Sequence, residues 1–283
     1  DDQGNVLIND YQLSQVLVFS KNGEFVRAIG NSGQGPGEFR QQTRIEWHAG
    51  DVFVLDGGNR RIQRLLDSGI FRDTFKPARM PDSFTVHRDR LFYSSTSRTT
   101  AEGSHLVMVS NLQGNVERDF GEKLKFTNNF SDIGSRCILQ FYRGELYVLF
   151  RYYPLLRKYA ISGELLAEYE LDGIDYENLA ANNRNYSEFK SGENVLPFRY
   201  LFNSLDVTDK GIFVGVFQED LVLDQFSPQG EFIKRYKRSM QDEKFYMFDH
   251  KIAVDSDQNL TFYILNREGI PKVDICVPLD SEG

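Results

Sequence analysis

Short apolar runs alternate with polar turns along the whole chain, and one arrangement recurs. An apolar run, a polar pair, a glycine and a second run appear as VLVFSKNGEFVRAIG around Gly23 and IQRLLDSGIFRDTF around Gly69. They return as LVMVSNLQGNVERDFG (Gly114), LLRKYAISGELLAEYEL (Gly163) and LVLDQFSPQGEFIKRY (Gly230), and VDICVPLDSEG stops at Gly283. Successive glycines lie 46, 45, 49, 67 and 53 residues apart. Glycine between two such runs signals a hairpin, because it accepts a positive φ. A second pair of runs precedes each hairpin, as in RIEWHAG–DVFVLD, SFTVHRD–RLFYSS, CILQFYRG–ELYVLF, LDVTDKG–IFVGVF and KIAVDSDQN–LTFYIL. Each unit therefore predicts four short antiparallel strands, a to d. Repeats of that kind, roughly 40–50 residues long, are the sequence signature of a β-propeller.

The pattern predicts an all-β, six-bladed propeller with four antiparallel strands per blade and a ring closed by strands shared between the termini. A sandwich with irregular turns is the alternative, but the a-to-d order repeats without exception. The blades fall near 1–39, 40–81, 82–130, 131–173, 198–241 and 246–283, as a single domain with an inserted loop at 174–197. Helix is expected only as a turn within 173–197. Aligning DSDQNL (255–260) with DDQGNV (1–6) sets Asp1 at the end of strand a of the first blade. The sixth blade closes at its c–d turn. The two missing strands are expected from residues before Asp1.

Composition narrows the function. The 283 residues are 40% apolar and 13% aromatic, enough for a large strand-rich core. A net charge of −8 disfavours a generic nucleic-acid or anionic-membrane surface. No window is long and apolar enough to span a membrane. Two cysteines make no disulfide scaffold.

The segments GNSGQGPGEF (30–39) and DVFVLDGGNRRIQRL (51–65) resemble NHL-repeat propellers. The likeness is nearest to the six-bladed propeller lipoproteins of Bacteroidetes, in the broad TolB-like group. It is strong over roughly residues 1–66 and fades afterwards, although FSPQGEFIKRY and IAVDSDQN keep traces of it. The third and fourth blades lack the Pro-Gly-Glu-Phe loop. The resemblance implies an exported protein, periplasmic or associated with the outer membrane or cell surface, with a lipid anchor before Asp1. It implies no assigned activity. A monomer is expected, since a closed propeller has little edge to pair.

The length variation falls on one face. In a propeller the d→a and b→c loops share a face, and the variable segments are GNSGQGPGEFRQQ, 95–104, 126–135 and 173–197. Loops on a rigid scaffold carry function, though neutral drift of such loops is the competing reading. Candidate ligand or partner contacts there are Arg44, Arg60, Arg136, Arg151, Tyr152, Arg199, Tyr200 and His250. Ser83, Lys251, Arg61, Arg98, Tyr153, Arg184, Tyr186 and Phe189 lie near them. Arginine presents a planar fork for carboxylate or phosphate, and tyrosine a flat face for sugars or peptide side chains. Arg60 and Arg61 coincide with the family's Asn-x-Arg-Ile and have a structural reading as well. The expected partner is a protein, peptide or glycan, not nucleic acid.

Other chemistry is poorly supported. His48, His87, His105 and His250 are not placed to converge on zinc. Asp255-x-Asp257-x-Asn259 has Leu260 and Arg267 where a calcium loop needs Gly and Glu, so a hairpin turn fits better. Cys137 and Cys276 lie in non-adjacent blades and read as packing residues. No nucleophile elbow or phosphate loop is present. The leading expectation is a non-enzymatic recognition scaffold without a cofactor. The alternative is a metal-dependent, lactonase- or lyase-like hydrolase holding a divalent cation such as calcium in its channel.

Overall fold

A computed structural model describes residues 1–95, 105–125, 131–185, 199–218, 220–238, 250–254, 260–266 and 272–277. Six antiparallel sheets follow one another along the chain, each an up-and-down meander pairing sequence neighbours. The first holds Val6–Asp10, Gln15–Phe19 and Phe25–Ile29. The second holds Gln42–His48, Asp51–Asp56, Arg61–Leu66 and Phe71–Phe75, and the third Ser83–His87, Arg90–Ser94, Val107–Asn111 and Val116–Phe120. The fourth holds Cys137–Tyr142, Glu145–Phe150, Leu155–Ala160 and Leu165–Glu170, and the fifth Phe202–Thr208, Gly211–Val216, Leu221–Phe226 and Phe232–Arg238. The sixth holds His250–Val254, Leu260–Asn266 and Lys272–Cys276. Such a succession is the blade series of a β-propeller.

The end blades follow the expected register, and one expectation needs correction. Four strands per blade holds for the second to fifth sheets, whereas the first and last have three each among the described residues. Among the described residues the first sheet has no a strand and the last no d strand, in the register expected from the alignment of 1–6 with 255–260. The two end sheets stay separate there, so the described residues do not form a shared closing blade. Helix is more extensive than a turn: Tyr176–Asn185 is a ten-residue α-helix, and Ser131–Gly134 adds one turn.

By compactness the chain divides into two units. One is Asp1–Phe92 with Val109–Arg118 and Lys244–Gly283; the other is Tyr93–Met108 with Asp119–Glu243. In the first, Val16, Val18, Ile29, Phe39, Val52, Val54 and Leu65 form a core. In the second, the core includes Ile138, Leu149, Leu156, Tyr176, Leu201, Phe202 and Val214. Strands b and c carry the apolar runs because both their faces are covered. Asp51–Asp56, Gly211–Val216 and Leu221–Phe226 are buried at every position. Strand d is the exposed edge, as Phe25 and Ile233 illustrate.

The recurring glycine has one mechanical role. Gly23, Gly69, Gly114, Gly163 and Gly230 all have φ between 81° and 95°. Each donates its N–H to the carbonyl three residues back, at 2.8–3.0 Å, closing a c–d turn. Where the registers of both strands are available, a bulge accompanies the turn. At Gly114, Gly163 and Gly230 a side chain would also collide with the preceding blade. A Cβ on Gly163 would lie 2.7 Å from the Phe120 ring, and one on Gly114 2.4 Å from the Lys76 carbonyl oxygen.

Candidate functional site

The insertion between the fourth and fifth sheets builds the site. Its helix carries Tyr176, Ala180 and Asn183 on one face, at i, i+4 and i+7, and all three are buried. Glu177 in the first turn complements the positive end of the helix. Tyr176 seats the helix. Its hydroxyl donates to Asp224 at 2.6 Å, and its ring packs edge-on against Phe202 at 5.1 Å. Arg235 grips Asp224 with two bonds of 2.7 Å. Burial beside that carboxylate pushes the Tyr176 phenol far above its ordinary range, so it stays a proton donor.

Asn183 fastens the other end. Its amide donates to the carbonyls of Tyr152 at 2.8 Å and Arg199 at 2.9 Å, and its oxygen accepts the Arg199 N–H at 2.8 Å. The Tyr153 hydroxyl reaches the Asn183 carbonyl at 3.4 Å. The N–H groups of Leu201 and Phe202 donate to the Arg151 carbonyl at 2.7 and 3.1 Å. Segments 151–153 and 199–202 are thereby tied side by side.

On this frame sit two arginines and two tyrosines. The Tyr152 and Tyr200 rings stack at 4.9 Å, only 11° from parallel. Arg136 Nη1 donates to the Tyr200 hydroxyl at 3.1 Å, and the Arg151 guanidinium lies 5.5 Å from the Tyr200 ring centre. Burial raises the Tyr152 phenol, and its hydrogen bond to Tyr200 raises it further. Burial alone would raise Tyr200 too, but the bond with Tyr152 and the charges of Arg136 and Arg151 outweigh it and bring Tyr200 below the usual tyrosine range. Desolvation lowers the Arg151 pKa, and neighbouring Arg136 adds to that. The guanidinium nonetheless stays charged.

Of the residues predicted from sequence, Arg136, Arg151, Tyr152, Arg199 and Tyr200 come together here, although Tyr152 is itself buried (4% exposed). Arg44 is elsewhere. It donates to Ser83 at 2.8 Å, the first of three rungs between the second and third sheets. In the second rung Thr85 donates to Glu46 at 2.8 Å; in the third the His48 and His87 rings lie 6.4 Å apart. Burial lowers both histidine pKa values. Arg60 is exposed and ends a 3-10 turn, with φ 54°. Its neighbour Arg61 is structural: it donates to fully buried Asp56 at 2.8 Å and to the carbonyls of Gly35 and Glu38. His250 opens its strand opposite Ile264, but its side chain lies outside the described residues, as do those of Arg98, Arg184, Tyr186, Phe189 and Lys251.

Sequence reasoning missed Asn183, Tyr176, Asp224 and Arg235. One signal was present: a lone aspartate inside the apolar run LVLDQF needs a buried partner. Cys137 is fully buried, as expected of a packing residue. Among the described residues, no three His, Cys, Asp or Glu side chains group as metal ligands. None of the helices described there is long and apolar enough to cross a membrane.

A family model, DUF5128, described as a 6-bladed beta-propeller, matches residues 2–196. No curated protein sequence is significantly similar. Solved structures share the architecture. One is a protein described as exported, from Bacteroides fragilis: 13% identity, 92% of this chain and 77% of that one, TM-score 0.59. A protein of unknown function from Bacteroides caccae matches at 13% identity over 93% and 82%, TM-score 0.52. Catalytically inactive virginiamycin B lyase from Staphylococcus aureus, solved with quinupristin, matches at 11% identity over 100% and 83%, TM-score 0.55. At these identities the likeness speaks for fold alone.

Proposed function

The chain belongs to the DUF5128 family of six-bladed β-propellers, and from that premise we propose that it is a binding protein of the bacterial envelope, without catalysis of its own. It recognises a protein, peptide or glycan through the surface around Arg136, Arg151, Arg199 and Tyr200. The observation that carries this reading is the pre-set geometry of that cluster. Asn183 and the helix hold it in place, so little ordering remains to oppose binding. Arginine and tyrosine are the residues that dominate recognition surfaces. Export is read from the resemblance to envelope propellers, and an epitope-tagged copy belongs in the envelope fraction of its host.

The test is a pair of arrays, one of glycans and one of peptides, probed with the full chain and two variants. Retention by a defined subset, lost in Tyr200→Ala and kept in Arg60→Ala, is the expected result. No retention on either array, or equal retention by both variants, overturns the reading. Turnover of a retained ligand replaces it with a lyase or hydrolase.

A further inference from the structure

We infer that Arg151, with Arg136 beside it, is the docking point for one carboxylate group, so that the ligand of this protein is an acidic molecule. This rests on the binding reading above and names its ligand class.

Five partly buried cations meet a carboxylate; Arg27 and Arg44, also partly buried, donate instead to the Asp67 carbonyl and to Ser83, and Lys234 lies over the Tyr236 ring. Arg61 is held by Asp56 at 2.8 Å, Arg64 by Asp51 at 2.6 Å and Arg235 by Asp224 at 2.7 Å. Arg157 is held by Glu168 at 2.6 Å, and Lys158 by Glu145 at 3.2 Å. These five side chains are 13–24% exposed, and each has its carboxylate. Arg151 is partly buried like them, yet its guanidinium makes no hydrogen bond or ion pair with a described residue. What faces it is the Tyr200 ring, with Tyr152, Cys137 and the like charge of Arg136 nearby. A ring face offsets a desolvated cation less well than a hydrogen-bonded carboxylate does.

Among the described residues no carboxylate answers this cation, and the ligand supplies one. A guanidinium edge offers two parallel N–H bonds, which match the two oxygens of a carboxylate. Tyr200 reports occupancy. The guanidinium charges that favour its phenolate are neutralised once a carboxylate arrives, so its ionisation moves back toward the ordinary tyrosine range.

The full chain is titrated with glucuronate, with N-acetylaspartate amide, with inorganic sulfate and with glucose. Binding is read by calorimetry. Ionisation of the earliest-titrating tyrosine is read by its near-ultraviolet absorbance. Both carboxylates are expected to bind and to raise that transition, and glucose to do neither. The stronger of the two identifies a sugar acid or an acidic peptide as the source. Arg151→Gln and Arg136→Gln should each weaken binding about tenfold or more. Arg60→Gln should not, and Tyr200→Phe should abolish the early transition. Arg151→Lys keeps the charge without the fork and serves if the Gln variant does not fold; it too should bind more weakly. Carboxylates that leave the transition unmoved, or sulfate binding in their place, overturn the inference. An array ligand indifferent to competing carboxylates overturns it while leaving the binding role intact. Carboxylate binding with bare arrays does the reverse.

Discussion

Between the second and third sheets, equivalent side chains of neighbouring a strands meet in three rungs, Arg44 with Ser83, Glu46 with Thr85 and His48 with His87. Between the fourth and fifth sheets the contacts are of another kind. Gln140 accepts the Val207 N–H at 3.0 Å, Tyr142 donates to Asp209, and Arg136 donates to Tyr200. Only the second seam has a helix added, whose Asn183 ties two segments together through their backbones. The first seam engages its arginine within the chain and so holds blades together. The second engages backbone groups through Asn183 and leaves the Arg151 guanidinium against an aromatic ring. An arginine on a loop-rich face is therefore weak evidence of a site until the structure shows whether the chain supplies its partner.

Four experiments separate the seams, beginning with the largest expected effect. Asp224→Ala removes the anchor of the helix and leaves Arg235 unpaired, with 15% of its side chain exposed. It should lower unfolding free energy by about 3–5 kcal/mol in denaturant titrations. A loss under about 1 kcal/mol would mean that Asp224 does not seat the helix. Asn183→Ala strips the partners from three backbone groups. It should cost about 1–3 kcal/mol and speed amide exchange at Arg199, together with a weakening of binding. Unchanged exchange there would remove Asn183 from the frame.

On the other seam, Arg44→Ala should cost about 0.5–1.5 kcal/mol and leave ligand affinity as it was. A loss of affinity would place Arg44 back in the site. The smallest effect concerns pH. His48 and His87 have lowered pKa values, first through burial, then through the Arg64 charge near His48 and the Arg88 charge near His87, against an opposing pull from Asp51 on His48. Just below the ordinary histidine pKa of 6.5 the unfolded chain takes up protons that the folded chain resists. Stability is thus full above that value and falls as pH drops through it. Melting curves on either side of it should show this, and His87→Gln should flatten the dependence. An unaltered slope would show that the rung is not its source.

Two buried aspartates show how much was legible. Asp56 opens the segment DGGNRRIQ, whose Asn59, Arg61 and Gln63 donate to it at 2.8, 2.8 and 3.3 Å. Its three side-chain donors lie within seven residues, with the Arg40 N–H as a fourth at 2.7 Å, so most of the motif can be read from the chain; the structural reading of Arg61 rests on the family's Asn-x-Arg-Ile. Asp224 takes Arg235 from the next strand and Tyr176 from 48 residues away. Nothing in the spacing of those residues announces the bond.

Local pattern alone was enough for the blade series, because the apolar alternation and the glycine of each c–d turn act over a few residues and recur at a steady interval. It was enough, too, to place arginines and tyrosines on the loop-rich face. Which of those arginines meets a partner among the described residues was decided only by tertiary structure. Pairing of a buried charge depends on which distant side chain arrives within about 3 Å of it, and the helix that fastens the segments beside Arg151 does so through Asn183, a residue with no marked pattern around it.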